Sequence, residues 1–179
     1  MTEPAEGEPE DWDDLIQESG GLAVEIAVAA SARPLGVPIG EIVATSILAA
    51  NGVVGPAQGT VSVRVDTDDA VRALNRTWRG QDKPTNVLSF RFPPSPAALP
   101  EAGMLGDIAI SYETTAREAA AEGKAFRDHL AHLAVHGFLH LLGYDHESDH
   151  EAEAMEQAER AILAHLGICD PYIARGAAG

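Results

Sequence analysis

Apolar positions along this chain follow two periods, and the switches between them mark its elements. LAVEIAVAA (22–30) reads as a mostly buried strand in which Glu25 is tolerated, and Pro34 and Pro38 then punctuate a turn. Ile39, Ile42, Val43, Ile47 and Leu48 recur at near-helical spacing and predict a helix over about 39–50. TVSVRVD (60–66) alternates β-branched apolar with polar residues, as a strand with one buried face does. Thr67 or Asp68 is placed to cap the next helix, which carries Val71, Leu74 and Trp78 on one side, so Trp78 is expected in the core rather than as a base-stacking platform. NVLSFRF (86–92) and MLGDIAIS (104–111) are two further strands, with Thr85 and Asn86 forming the turn into the first. A loop containing Pro93, Pro94, Pro96 and Pro100 separates them.

Three helices follow. Ser111 can cap an Ala-rich helix to about Lys124, a longer helix runs from about Phe126 to Leu142, and SDHEAEAMEQAERAILAHLG forms a last amphipathic helix ending at Gly167. The order β-α-β-α-β-β-α-α-α implies an α+β fold: a small mixed sheet of about four strands covered by about five helices. The 179 residues, 45% hydrophobic and without an internal repeat, suit one domain, placed at residues 21–174 with a flexible tail at 175–179.

Composition narrows the chemistry. No segment approaches the roughly 18 to 20 uncharged apolar residues of a membrane helix, and the N-terminus is acidic where a secretory signal is basic, so a cytoplasmic protein without a membrane partner is expected. Cys169 is the only cysteine, which excludes an intrachain disulfide and a Cys-rich zinc module and leaves His and carboxylates to build any metal site. The formal charge of −16 disfavours nucleic acid as a partner, but eight acids and no Lys or Arg fall in residues 1–20, expected to be a disordered extension. Six of the twelve basic residues (Arg64, Arg72, Arg76, Arg79, Lys83 and Arg91) fall within residues 64–91, a locally basic segment.

The run HGFLHLLGYDH carries the strongest chemical signal. His136 and His140, four apart on a helix, share a face with Cβ atoms about 5–6 Å apart and can share an ion. Were the helix to continue, His146 would sit about 9 Å beyond His140, too far for a zinc–nitrogen bond of about 2 Å. The helix must therefore end, and Gly143 is placed to end it. His132 and His129 cannot join such a set from a straight helix, whereas His150, four after His146, is a rival third ligand. Three imidazoles leave one tetrahedral position open, the arrangement of a catalytic zinc site, and hydrolysis is the default chemistry. The spacing also matches the metzincin proteases, except that Gly137 stands where those enzymes place a glutamate base, which disfavours peptide hydrolysis.

HGFLHLLGYDH (136–146), LNRTWRGQDKPTNVLSF (74–90), LGDIAIS (105–111) and the ending DPYIA (170–174) together resemble the YbeY family of single-strand-specific endoribonucleases that mature bacterial ribosomal RNA. The resemblance covers roughly residues 60–174. It implies one zinc ion per chain held by His136, His140 and His146, a functionally important Arg79, ribosomal (16S) RNA as substrate in maturation and quality control, and the small ribosomal subunit with its assembly factors as partners. Arg91 stands where the family is expected to carry proline, a departure expected to leave the metal ligands untouched and to alter the surface beside them.

By its own chemistry Arg79 is a planar, permanently charged fork suited to hold a phosphodiester while metal-activated water, or the RNA 2′-hydroxyl, attacks it. Asp145 and Glu147 flank His146 as candidate bases, with no assignment between them, and Asp107 either orients a ligand histidine or is an ordinary strand carboxylate. Two rivals remain: a ribosome-assembly or RNA-binding factor with structural zinc, favoured by the acidic charge, and a metzincin-like peptidase.

Overall fold

The computed structural model describes residues 11–92 and 103–173. Five strands and five α-helices follow the expected alternation, with one strand added at the start: β1 (Trp12–Ser19), β2 (Leu22–Ala29), a 3-10 helix (Ala30–Leu35), α1 (Ile39–Val54), β3 (Gly59–Asp66), α2 (Asp68–Arg79), β4 (Val87–Arg91), β5 (Met104–Ser111), α3 (Tyr112–Glu122), α4 (Phe126–Leu141) and α5 (Asp149–His165). The sheet order is β1-β2-β3-β5-β4. β2, β3 and β5 run parallel, while β1 and β4 pair antiparallel at the two edges, so the sheet is mixed as expected.

The extra strand corrects the strand count and, over residues 12–19, the expectation of a disordered extension. Trp12–Ser19 pairs with β2 along its length, from Trp12 opposite Ala29 to Ser19 opposite Leu22. Its acids are compatible with a strand because it is an edge whose side chains largely face water, where charge also discourages further pairing. Arg33 binds one of them, Asp13, at 2.7 Å, and Asp11 just before the strand at 2.8 Å. Gly20 and Gly21, both at positive φ, form the two-residue hairpin turn, a signal that was present in the sequence. Residues 1–10, the proline-rich loop at 93–102 and the tail at 175–179 lie outside the described residues.

Alternation along the strands divides the molecule into two unequal cores. Val24, Ile26, Val61, Val63, Ile108 and Ile110 face α1 and α4 and form the larger one with Val43, Ile47, Leu130, Phe138 and Leu139. On the opposite face α2 covers a smaller cluster of Val71, Leu88 and Ala109. α4 is buried around much of its circumference, which explains its near-continuous apolar sequence. Thr67, Ser111 and Ser148 cap α2, α3 and α5 through their hydroxyls, Ser148 with Glu151 in a reciprocal capping box. No helix among the described residues is long and apolar enough to cross a membrane.

Candidate metal centre

α4 presents His132, His136 and His140 as a stripe along one side and then stops. Gly143 takes φ +96°, its N–H bonds back to the His140 carbonyl, and the chain turns so that His146 comes to face the last helical turn. The imidazole nitrogens of His136, His140 and His146 lie within 4.8 Å of one another, and no other described residues form such a group. His150, on the first turn of α5, is not part of it.

The hydrogen bonds around the rings settle which nitrogens face inward. His136 Nδ1 lies 2.5 Å from Glu159 Oε1, and His140 Nδ1 lies 3.0 Å from the Tyr144 carbonyl oxygen. Both partners only accept, so both Nδ1 atoms carry the proton and the two Nε2 atoms present lone pairs to each other at 3.2 Å. Two acceptors at that distance repel unless a cation lies between them, and the donor set suits a transition metal. Burial, then the neighbouring His136 and His146, hold the His140 pKa below the usual imidazole value, which keeps that ring in the neutral form a metal requires.

Glu159 was missed by the sequence reading. It lies on the apolar stripe of α5 with Met155, Ile162 and Leu163, and shows no exposed surface. An acid on the buried face of an amphipathic helix was the available signal. Burial alone would raise its pKa, but hydrogen bonds from His132, His136 and Tyr172 outweigh that and hold it at about 2.

The histidines form one wall of a cleft of about 560 Å³ whose other walls include Arg79, Ser89, Arg91, Asp145 and Glu147. Arg79, at the end of α2, donates from Nη2 to the Ser89 carbonyl at 2.8 Å, and its guanidinium lies 5.6 Å from the Phe90 ring centre. Arg91 belongs to the surface beside the three histidines. It lines the same cleft, and a methyl group added at Gly143 would come within 3.0 Å of its guanidinium. Asp145 accepts the His146 N–H at 2.8 Å, whereas Glu147 makes no ion pair or hydrogen bond among the described residues.

Other expectations change. Trp78 is 67% exposed rather than core, near the C-terminal end of α2, and its ring meets that of Phe90 edge-on at 6.3 Å. Asp107 alternates with Ile108, whose side chain faces Gly137 on α4, so Asp107 points to the α2 face and orients no histidine. Burial raises its pKa. Asn86 forms the turn expected of it, accepting the Val87 N–H at 2.7 Å and donating to Glu118. Gly137 lies against the sheet, where a Cβ would meet Ile108 Cγ2 at 3.0 Å, Ser89 Oγ at 3.1 Å and Val87 Cγ2 at 3.3 Å. No glutamate fits there.

Known proteins resemble the chain throughout this region. An endoribonuclease YbeY of Rhodopseudomonas palustris (strain BisA53) is 62% identical over 118 residues, which are 65% of this chain and 69% of that protein. The protein of the same name from strain BisB5 is 51% identical over 158 residues, 84% of this chain and 81% of its own. A solution structure of a Thermotoga maritima protein covers 84% of this chain and 99% of its own, at 23% identity and a TM-score of 0.46. The family model described as endoribonuclease YbeY matches residues 39–167, a span that contains the three clustered histidines, Arg79 and Glu159, and the chain belongs to that family.

Proposed function

We propose that this chain is a zinc-dependent endoribonuclease that cuts single-stranded RNA in the maturation of ribosomal (16S) RNA, acting in the cytoplasm on the small ribosomal subunit. The observation that carries the reading is the convergence of three imidazole nitrogens within 4.8 Å in an open cleft that also holds two arginines. The family's name supports RNA as the substrate.

His136, His140 and His146 hold the ion, one per chain. When bound, zinc supplies Lewis acidity toward a phosphoryl oxygen and activates water near neutral pH. Arg79, steadied by the Ser89 carbonyl, keeps its remaining guanidinium donors for the phosphodiester and for the charge that develops on it. Arg91 adds a second cation at the Gly143 end, so two arginines offset Asp145 and Glu147 in the cleft of a chain of net charge −16. Trp78, exposed next to Arg79 at the end of α2, gives a base leaving the cleft a ring on which to stack. Of the two acids flanking His146, Glu147 is the freer to accept a proton, since Asp145 is engaged by the loop.

The test is a cleavage assay on single-stranded RNA and on casein with metal-loaded protein. RNA products that disappear in His140→Ala, together with bound zinc, and fall sharply in Arg79→Ala are expected. Normal RNA cleavage by metal-free His140→Ala overturns the proposal. Casein products would point to a peptidase, and neither product to an assembly factor with structural zinc, the reading that the acidic charge favours.

A further inference from the structure

Glu159 has no place in the cleavage step, yet it is fully buried, and a buried carboxylate costs several kcal/mol unless its oxygens are partnered. Its partners divide between two functions. Oε1 accepts from His136 Nδ1 at 2.5 Å, while Oε2 accepts from the Tyr172 hydroxyl and lies 3.4 Å from His132 Nε2. Tyr172 is itself held in place: its N–H donates to Asp170 Oδ1 at 2.8 Å, Asp170 Oδ2 accepts from Arg160 Nε at 3.1 Å, and the Arg160 guanidinium lies 5.2 Å from the Tyr172 ring centre. The Tyr172 ring also meets His132 edge-on at 5.8 Å. The DPY ending thus folds back onto α5 and seals the outer side of the carboxylate that touches His136.

We propose that Glu159, closed off by Tyr172, is the positioning residue that holds His136 as an Nε2 donor, so that metal affinity depends on a segment at residues 170–172 that contributes no ligand. The inference rests on the metal reading given above. A carboxylate accepting the Nδ1 proton fixes the tautomer and the ring rotation and raises the basicity of Nε2. His140 receives only a neutral carbonyl in that role, and His146 has only the exposed Asp145 carboxylate at 3.9 Å. His136 is therefore the ligand held by the strongest acceptor of the three. Without the Tyr172 hydroxyl, Oε2 keeps only the long contact to His132, and the carboxylate is free to turn away from His136.

The experiment compares full-length wild type, Glu159→Gln, Tyr172→Phe and His140→Ala. It measures zinc affinity by chelator competition, the visible spectrum of the Co2+ form, and the melting temperature of the metal-free protein. Glu159→Gln should bind zinc about 10- to 100-fold more weakly with an altered Co2+ spectrum, the range known for partners of this kind. Tyr172→Phe should lose roughly tenfold while its metal-free melting temperature stays within a few degrees of wild type. If wild type binds no zinc, the metal reading falls and takes this inference with it. If wild type binds zinc and His140→Ala does not, but Glu159→Gln and Tyr172→Phe match wild type in affinity and spectrum, this inference alone is overturned. A lower melting temperature with unchanged affinity overturns it equally, and if Glu159→Gln fails to fold, Tyr172→Phe decides.

Discussion

Installing the glutamate of metal-dependent peptidases at position 137 should unfold this protein rather than convert it. Gly137 sits on the face of α4 that packs against β4 and β5, and its neighbours there leave little room to give way. Ile108 and Val87 are β-branched residues in strands, with χ1 restricted, and the Ser89 hydroxyl is already bound to the Gly137 carbonyl at 3.0 Å. Gly137→Ala isolates the first step. Helix propensity favours alanine by about 1 kcal/mol, while overpacking at three contacts of 3.0 to 3.3 Å costs about 1–3 kcal/mol, so a net loss of up to about 2 kcal/mol is expected. For a domain of this size that lowers the melting temperature by up to roughly 8 °C. Gly137→Glu adds two further heavy-atom layers and a carboxylate without a partner, a penalty of at least about 4–5 kcal/mol against a typical total of about 5–15 kcal/mol. Thermal melts followed by circular dichroism, with a casein assay on the same samples, measure both variants. A Gly137→Glu protein that melts within a few degrees of wild type would refute the packing argument. One that also cleaves casein would show that the absent glutamate, and not the shape of the cleft, separates this protein from the peptidases.

Asp68 accepts from Thr114 Oγ1 at 2.6 Å and from the Ser111 hydroxyl and pairs with Arg117 at 2.7 Å, tying α2 to α3. Its partial burial works against ionisation, but these hydrogen bonds and the Arg117 charge prevail and hold its pKa below 3.8. A depressed carboxyl stabilises the fold above its unfolded pKa and loses that contribution as pH falls through the folded one. Asp68→Asn should therefore destabilise the protein at neutral pH, the penalty should shrink as pH falls through the depressed folded pKa, and a penalty independent of pH would contradict the assignment. Arg91→Ala, at an exposed side chain, should leave the melting temperature within a few degrees of wild type, raise KM for RNA with little change in kcat, and lower the salt dependence of RNA binding by about one phosphate contact. An unchanged salt slope would remove Arg91 from the substrate path.

Much of the site was legible because its information is local. Two histidines four apart share a helix face whatever surrounds them, and Gly143 ends the helix because it alone among nearby residues takes φ +96° without steric cost. Thr67, Ser111 and Ser148 cap their helices by contacts with the next turn, and the alternation in residues 60–66 and 104–111 marks strands with one buried face. What escaped was set by partners distant in the chain. β1 reads as an acidic tail until its pairing with β2 makes it an edge, and the order β1-β2-β3-β5-β4 depends on how the helices cover the two faces. Trp78 has the spacing of a core residue but is exposed near the end of α2, and Arg91 reaches the metal cleft only because the end of β4 lies beside the turn at Gly143. The contact between Glu159 and His136 spans 23 residues and two helices. Periodicity fixes which face of a helix a residue occupies, but only the packing of helix against helix decides what that face meets.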